Sequence, residues 1–140
     1  MAIIIDATGL IVGRAAAFAA KKALLGEKVD VVNCENAVIS GDKRQILDRH
    51  KEKYNLGGPH WGPFFPKQAD RYVRRVIRGM LPAKKGRGKE AFKNVMCWLG
   101  VPEEFKGKKL ETVKEANAGK LVNTKYIKLS EVMDFLKHRK

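Results

Sequence analysis

Residues 2–32 have the sequence AIIIDATGLIVGRAAAFAAKKALLGEKVDVV, which predicts a strand, a helix and a second strand. Residues 2–5 and 28–32 are short apolar runs rich in Ile and Val, as in buried strands. Between them, the small side chains of residues 10–25 would let a helix approach a sheet closely, and Gly26 is suited to end that helix. This order within about 30 residues is typical of a right-handed crossover unit, so it predicts a parallel sheet covered by helices.

The rest of the chain continues the α/β pattern. Its 140 residues are enough for one buried core and too few for two, so we expect a single domain over residues 1–140. Asp42, with Gln45 three residues later, resembles a capping box and predicts a helix through about Lys53. Helices are also expected at residues 69–80 and 90–94 and after Ser130, the last burying Val132, Phe135 and Leu136, and strands at residues 95–99 and 126–129.

Two connecting segments have unusual compositions. Residues 54–67 contain three Gly, three Pro and four aromatic residues, which predicts a loop. Because aromatic residues are uncommon in solvated linkers, we expect this loop to pack on the domain or on a partner. Residues 84–89 are Lys, Arg and Gly alone. They predict a flexible basic loop whose glycines would let backbone N–H groups approach phosphates.

Positive charge is concentrated in the middle of the chain. Lys and Arg number 29 against 15 Asp and Glu, a net charge of +14. Residues 43–109 hold 18 of the basic residues and six of the acidic ones, whereas both flanks resemble ordinary globular sequence. A charge of this size favours a polyanionic partner. We therefore expect the middle segment to carry the binding surface and the flanks to act as scaffold.

Residues 69–93 predict a basic helix followed by a basic loop. The helix has an apolar face and an arginine face, so its four arginines are expected to point away from the core. Arg is suited to bidentate phosphate contacts and to stacking on bases, which favours nucleic acid over an ordinary solvated face. Membrane binding would need bulky Leu, Phe or Trp beside the arginines. The apolar face offers only Val73, Val76, Ile77 and Met80, and the arginine face consists of Arg71, Arg74, Arg75 and Arg78.

Cofactor binding and catalysis are weaker interpretations. Gly9 and Gly13 do not complete the G-x-G-x-x-G dinucleotide fingerprint, and no G-x-x-x-x-G-K-[ST] phosphate-binding loop occurs. A nuclease could use Asp6 with His50 or His60 as an acid and a general base, but the spacing of these residues does not support such a site. Asp6 is better explained as a turn or capping residue at the end of a strand. We therefore expect no catalytic residue, no cofactor and no metal.

The two cysteines and the hydropathy pattern indicate in which cellular compartment the protein is expected. Cys34 and Cys97 have the spacing of neither a zinc site nor a disulfide framework, so both are expected to be reduced packing residues. The sequence has no run of about 18 apolar residues and no signal-peptide pattern. We expect a soluble, cytoplasmic protein.

Five short motifs follow one another between residues 3 and 102: DATG at residues 6–9 with Gly13-Arg14, VISGDKR at 38–44, RGMLP at 78–82, GRGKEAF at 86–92 and LGVP at 99–102. Together they resemble the signature of the large-subunit ribosomal protein thirteen family. Residues 54–66 and the C-terminal 30 residues differ from bacterial members, and the archaeal branch fits best. The resemblance implies a three-layer α/β/α domain with a four-stranded parallel sheet, bound to large-subunit ribosomal RNA and contributing to subunit assembly.

The sequence thus predicts a structural constituent of the large ribosomal subunit and not an enzyme. Its expected partners are large-subunit ribosomal RNA and neighbouring ribosomal proteins, with no membrane and no small-molecule substrate. A free-standing regulatory RNA-binding protein is the alternative. The expected RNA-binding residues are Arg14, Lys43, Arg44, Arg49, Lys51, Lys53, Arg71, Arg74, Arg75, Arg78, Lys84, Lys85, Arg87, Lys89 and Lys93.

Overall fold

A computed structural model describes residues 2–138 and contains the predicted crossover unit. Strand β1 (Ala2–Asp6) leads into helix α1 (Val12–Leu24), which returns the chain to strand β2 (Lys28–Val32). The two strands pair in parallel from Ala2↔Lys28 to Asp6↔Val32. Helix α1 begins two residues later than predicted because Leu10 and Ile11 form isolated β-bridges with other segments. The crossover prediction is confirmed.

The remaining elements in the described part of the chain are three short strands and four α-helices, with three of the helices in succession. No helix among residues 2–138 has the length and apolar character needed to cross a membrane. In chain order the elements are β3 (Val38–Ser40), α2 (Lys43–Asn55), α3 (Ala69–Met80), α4 (Gly86–Lys93), β4 (Val95–Cys97), β5 (Tyr126–Lys128) and α5 (Leu129–Lys137).

The main sheet has three parallel strands among the described residues, in the order β1-β2-β4. The prediction of four parallel strands is wrong. Beside β1, where a fourth strand would lie, Glu111 forms an isolated bridge: its N–H donates to Ile4 O (2.7 Å) and its carbonyl accepts from Asp6 N (3.0 Å). Past Val113 the chain enters a 3₁₀ turn, and Ala116 O of that turn accepts from Ile11 N (2.7 Å), so the pairing does not extend.

The other two strands form a separate antiparallel pair. β3 and β5 align from Val38↔Lys128 to Ser40↔Tyr126. The predicted strand at residues 126–129 therefore exists but ends at Lys128, and α5 begins directly after it. Helix α5 packs against α2 and buries Val132 and Leu136, as expected. Phe135, expected on the buried side, is instead 37% exposed.

The two faces of the main sheet are covered differently. On one face, Ile5, Val29 and Val95 are buried against the alanines of α1 and the apolar side of α3. On the other face, Ile4 and Val32 pack with Phe105, which lies in a 3₁₀ turn of the segment after β4. The three-layer α/β/α arrangement is therefore not confirmed, because irregular chain covers that second face.

The observed boundaries of α3, α4 and β4 and the cap of α2 agree only in part with the predictions. Helix α3 spans residues 69–80, as predicted. Helix α4 begins at Gly86, whereas the sequence predicted a flexible loop through Lys89. Strand β4 ends at Cys97, so residues 98 and 99 lie outside it. Asp42 caps α2 as expected, although its carboxylate accepts from Arg44 N (3.2 Å) rather than forming a capping box with Gln45.

Candidate nucleic-acid interface

The arginine face of α3 contains an exposed pair and a half-buried pair. Arg71 and Arg78 are exposed, whereas Arg74 and Arg75 are half-buried. Arg74 and Arg75, expected with the other two to point away from the core, are therefore not fully open to solvent. On the opposite face Val73 and Ile77 are buried, as predicted. The helix is thus fixed to the core on one side and carries its guanidinium groups on the other.

Arg75 connects α3 to the preceding loop, residues 56–68, which we call the aromatic loop. Its Nη1 donates to Phe64 O (2.9 Å), and its guanidinium carbon lies 5.7 Å from the centroid of the Phe65 ring. A charge-assisted hydrogen bond and a cation–π contact hold the same guanidinium group. Arg75 therefore positions the backbone of the aromatic loop as well as contributing charge.

Arg74 packs against α4. Its guanidinium carbon lies 4.6 Å from the centroid of the Phe92 ring, close enough for a cation–π contact. Its Nε is buried and has no hydrogen-bond partner among residues 2–138. A buried donor of this kind costs free energy unless a partner satisfies it.

The aromatic loop is anchored by one ring and exposes two others. Phe65 packs against His50 and Tyr72, with ring centroids 5.9 Å apart in both pairs. Trp61 and Phe64 are 78% and 72% exposed. The expectation that this loop packs on the domain is confirmed for Phe65, while Phe64 and Trp61 remain open to solvent.

His50 has a packing role rather than a catalytic one. It is 4% exposed, its Nδ1 donates to Ile46 O (2.7 Å), and its Nε2 accepts from the Tyr72 hydroxyl (3.1 Å). Burial lowers the pKa of His50, and the positive charges of Lys53 and Arg49 lower it further, outweighing the hydrogen bond to Ile46. The neutral ring therefore joins α2, α3 and the aromatic loop.

This neutral histidine predicts a pH dependence of stability. As the pH falls below about 6.5, the ordinary histidine pKa, the unfolded state takes up a proton before folded His50 does. The free energy of unfolding should therefore fall as the solution is acidified from pH 7 toward the folded-state pKa. Urea denaturation at a series of pH values measures this, and His50→Gln, which cannot titrate, should show a shallower dependence. An equal dependence in both proteins would contradict the assignment.

The aromatic loop and α3 together enclose an open groove of about 930 Å³, which we call the arginine groove. Six of the residues that line it are basic, and none of its described lining residues is acidic. Aromatic rings of Phe64, Phe65 and Phe92 also face it. The full lining is Pro63, Phe64, Phe65, Pro66, Lys67, Gln68, Arg71, Arg74, Arg75, Arg78, Phe92 and Lys137.

Two smaller hollows contain other predicted site residues. One, of about 470 Å³, lies at the end of α3 and brings Arg78 together with Lys84 and Lys85. The other, of about 610 Å³, places Arg14 beside Lys120 and Lys125. The basic residues are thus distributed over several surfaces rather than gathered in a single cluster.

The other predicted residues have varied surroundings. Lys43 pairs with Glu131 (3.0 Å) at an exposed site, Arg14 Nη1 donates to Glu115 O (3.1 Å), and Arg87 Nη2 donates to Leu24 O (3.5 Å). These three side chains thus already use some of their hydrogen-bond donors within the protein. Lys51 is half-buried, and the exposed remainder are Arg44, Arg49, Lys53, Lys84, Lys85, Lys89 and Lys93.

Sequence reasoning missed several residues of these hollows. Lys67, Gln68 and Lys137 line the arginine groove, and Lys120 and Lys125 accompany Arg14. Three of these lysines lie in the C-terminal flank, whose modest excess of positive charge suggested ordinary scaffold. No local spacing relates them to α3 or α1, because only the folded chain brings these segments together.

Asp6 is a turn residue, as predicted. Its Oδ1 accepts from Thr8 N (3.0 Å), from the Thr8 hydroxyl (2.7 Å) and from Asn33 Nδ2 (2.9 Å). Burial raises the pKa of this carboxyl, but the hydrogen bonds from Asn33 and Thr8 outweigh it and lower the pKa overall. The two bonds from Thr8 form the turn after β1, and the bond from Asn33 joins the ends of β1 and β2, so the role of Asp6 is structural.

Cys34 and Cys97 are both buried and form no disulfide, as predicted. A hydrogen bond with the Cys34 side chain, together with burial, raises the pKa of the Cys97 thiol. The Cys97 thiol therefore stays protonated, and both buried cysteines serve as packing residues. Among residues 2–138, no group of three or more His, Cys, Asp or Glu side chains could hold a metal ion.

The sequence is similar to those of known ribosomal proteins. The family described as Ribosomal protein L13 has a sequence profile that matches residues 1–104. A protein of Archaeoglobus fulgidus named large ribosomal subunit protein uL13 is 44% identical over 97% of this chain and 88% of its own length. Proteins of the same name from Methanosarcina barkeri and Haloarcula marismortui are 44% and 41% identical. They match 92% and 96% of this chain, and 93% and 90% of their own lengths.

Proposed function

The chain belongs to the ribosomal protein L13 family, and we propose that it binds large-subunit ribosomal RNA through the arginine groove and the basic surfaces around it. The family is one of structural ribosomal proteins and not of enzymes. In this role the protein is a constituent of the large subunit in the cytoplasm, in contact with neighbouring ribosomal proteins, and supports subunit assembly.

The observation that carries this proposal is the composition of the arginine groove. Six cations line one hollow without a lining carboxylate among the described residues. Lys137 pairs with Asp134 (3.6 Å) at an exposed site, and no ion pair within residues 2–138 neutralises the other five cations. Arginine side chains suit phosphate oxygens because the planar guanidinium group can donate two parallel hydrogen bonds. A negatively charged backbone such as that of RNA is the complementary partner.

The packing of α3 explains why such a surface can select a folded RNA. Buried Val73 and Ile77 hold the helix against the core, and Arg75 holds the aromatic loop, so the charges have fixed relative positions. Helical RNA hides most base identity in its deep major groove, and proteins therefore recognise chiefly its shape and backbone. We expect selectivity to follow the RNA fold, with the remaining predicted cations contributing phosphate contacts.

Sedimentation of a cell lysate on a sucrose gradient tests the proposal. The protein should sediment with the large subunit at low salt. It should dissociate only at high salt, where the release of counterions from the RNA no longer favours binding. If the protein stays at the top of the gradient at low salt, the structural role in the ribosome is wrong. A free-standing RNA-binding role would then be tested with the unbound fraction.

A further inference from the structure

Phe64 and Phe65 are neighbours in the chain with opposite environments. The Phe65 ring is held between His50 and Tyr72, whereas the Phe64 ring is 72% exposed and lines the arginine groove. An exposed aromatic ring gains free energy when another apolar surface covers it. The aromatic loop therefore presents a flat apolar ring in a groove whose other lining is strongly basic.

The position of Phe64 is fixed although its ring is not packed. Arg75 Nη1 donates to the Phe64 carbonyl (2.9 Å), and the adjacent Phe65 anchors the chain on its C-terminal side. On the N-terminal side, Gly58 and Trp61 form a tight turn through two backbone hydrogen bonds of 3.1 and 3.2 Å. The loop backbone that carries the ring therefore needs little further ordering when a ligand binds, which favours affinity.

The remaining groove residues match the polar part of a nucleotide. Arg71 and Arg78 are exposed cations on the arginine face of α3, opposite the face that packs on the core. With a volume of about 930 Å³, the groove falls within the range of small-molecule sites, roughly 300–1,000 Å³.

We propose that the arginine groove receives one unstacked nucleotide of the RNA, with its base against Phe64 and its phosphate at Arg71 and Arg78. This inference rests on the proposed RNA-binding function and specifies what that site accepts. Bases within a duplex are covered by their neighbours, so only a loop, a bulge or a single strand can supply such a nucleotide. The excess of cations favours a nucleotide over an apolar protein segment, which would leave those charges unpaired.

The test compares two RNA probes on the full-length chain at one salt concentration: an oligouridine, whose bases are unstacked, and a blunt RNA duplex of equal length. In the variant Phe64→Ala, affinity for the oligouridine should fall roughly five- to hundredfold, the usual effect of removing one base-stacking ring. Affinity for the duplex should stay the same, because the phosphate contacts remain. Since Phe64 is largely exposed, the variant should fold normally, which circular dichroism checks.

Two matched variants isolate the aromatic ring. Phe64→Tyr keeps a flat π face and should retain oligouridine affinity, whereas Phe64→Leu keeps apolar area without that face and should lose it. Equal loss on both probes, or no loss on the oligouridine, would overturn the inference while leaving the RNA-binding function intact. If the unmodified protein binds neither probe in a salt-dependent way, the proposed function itself fails.

Discussion

The double variant Arg71→Ala/Arg78→Ala should bind RNA duplex on the order of fiftyfold more weakly at about 0.1 M salt, because each lost phosphate contact removes the release of about 0.9 counterion. The plot of log affinity against log salt should become shallower by about two units of slope. Both side chains are exposed on α3, so the fold should be unaffected. Fluorescence anisotropy over a series of salt concentrations measures affinity and slope together.

Two control variants separate position from charge. Lys28→Ala/Lys128→Ala removes the same charge from exposed residues that line none of the three hollows, and should change the affinity and slope much less. Arg71→Lys/Arg78→Lys should keep the slope but lose part of the affinity, because lysine cannot form the bidentate contact. If both alanine variants lose affinity equally, the protein binds RNA by net charge and the groove has no special role.

Arg74 and Arg75 are less suited to this experiment. Arg75 holds the Phe64 carbonyl, and Arg74 packs on Phe92, so their removal would disturb the aromatic loop and the contact with α4. A loss of RNA affinity in such variants would mix charge with structure. The exposed pair avoids this ambiguity.

Replacing Gly88 with Ala should destabilise the protein by about 1–3 kcal/mol, the range for overpacked sites. A Cβ at this position would overlap the carbonyl oxygen and carbon of Pro82, and these are backbone atoms that cannot rotate away. The segment between α3 and α4 would have to move, which should also weaken RNA binding through Lys84 and Lys85. Urea denaturation measures the free energy of unfolding.

Gly86 provides the matched control for Gly88. Both residues lie in α4, but a Cβ at Gly86 would meet nothing within 4 Å. Gly86→Ala should therefore leave stability unchanged or raise it by up to about 1 kcal/mol through helix propensity. Equal stability of the two variants would show that the approach of Pro82 to α4 is not required.

Gly88 has a different role from the one that the composition of residues 84–89 predicted. The sequence suggested a loop whose free N–H groups face phosphates. In the structure Gly88 lies within α4 and its N–H donates to Lys85 O (3.1 Å), so that donor is already used. Gly88 allows the backbone at Pro82 to approach α4 closely. The Lys, Arg and Gly composition of residues 84–89 does not show whether a glycine is needed for such an approach or for flexibility.

Elements with local determinants could be predicted from the sequence. The bounds of α3, the Asp42 cap and the Thr8 contacts of Asp6 depend on residues within a few positions of one another, and the crossover unit follows from the order of three such local segments. Apolar periodicity and short-range hydrogen bonds carry this information along the chain. The α3 side of the candidate interface could likewise be predicted, because helical periodicity separates the arginine and apolar faces.

The amino-acid sequence by itself determined the crossover unit, the basic character of the middle segment and the family of the protein. Only the tertiary structure decided that the main sheet has three strands, that Arg75 reaches Phe64, and that Lys137 joins the arginine groove. The physical reason is the range of the interactions. Helix periodicity is set by neighbouring residues, whereas strand partners and groove walls depend on where distant segments meet, which no local spacing encodes.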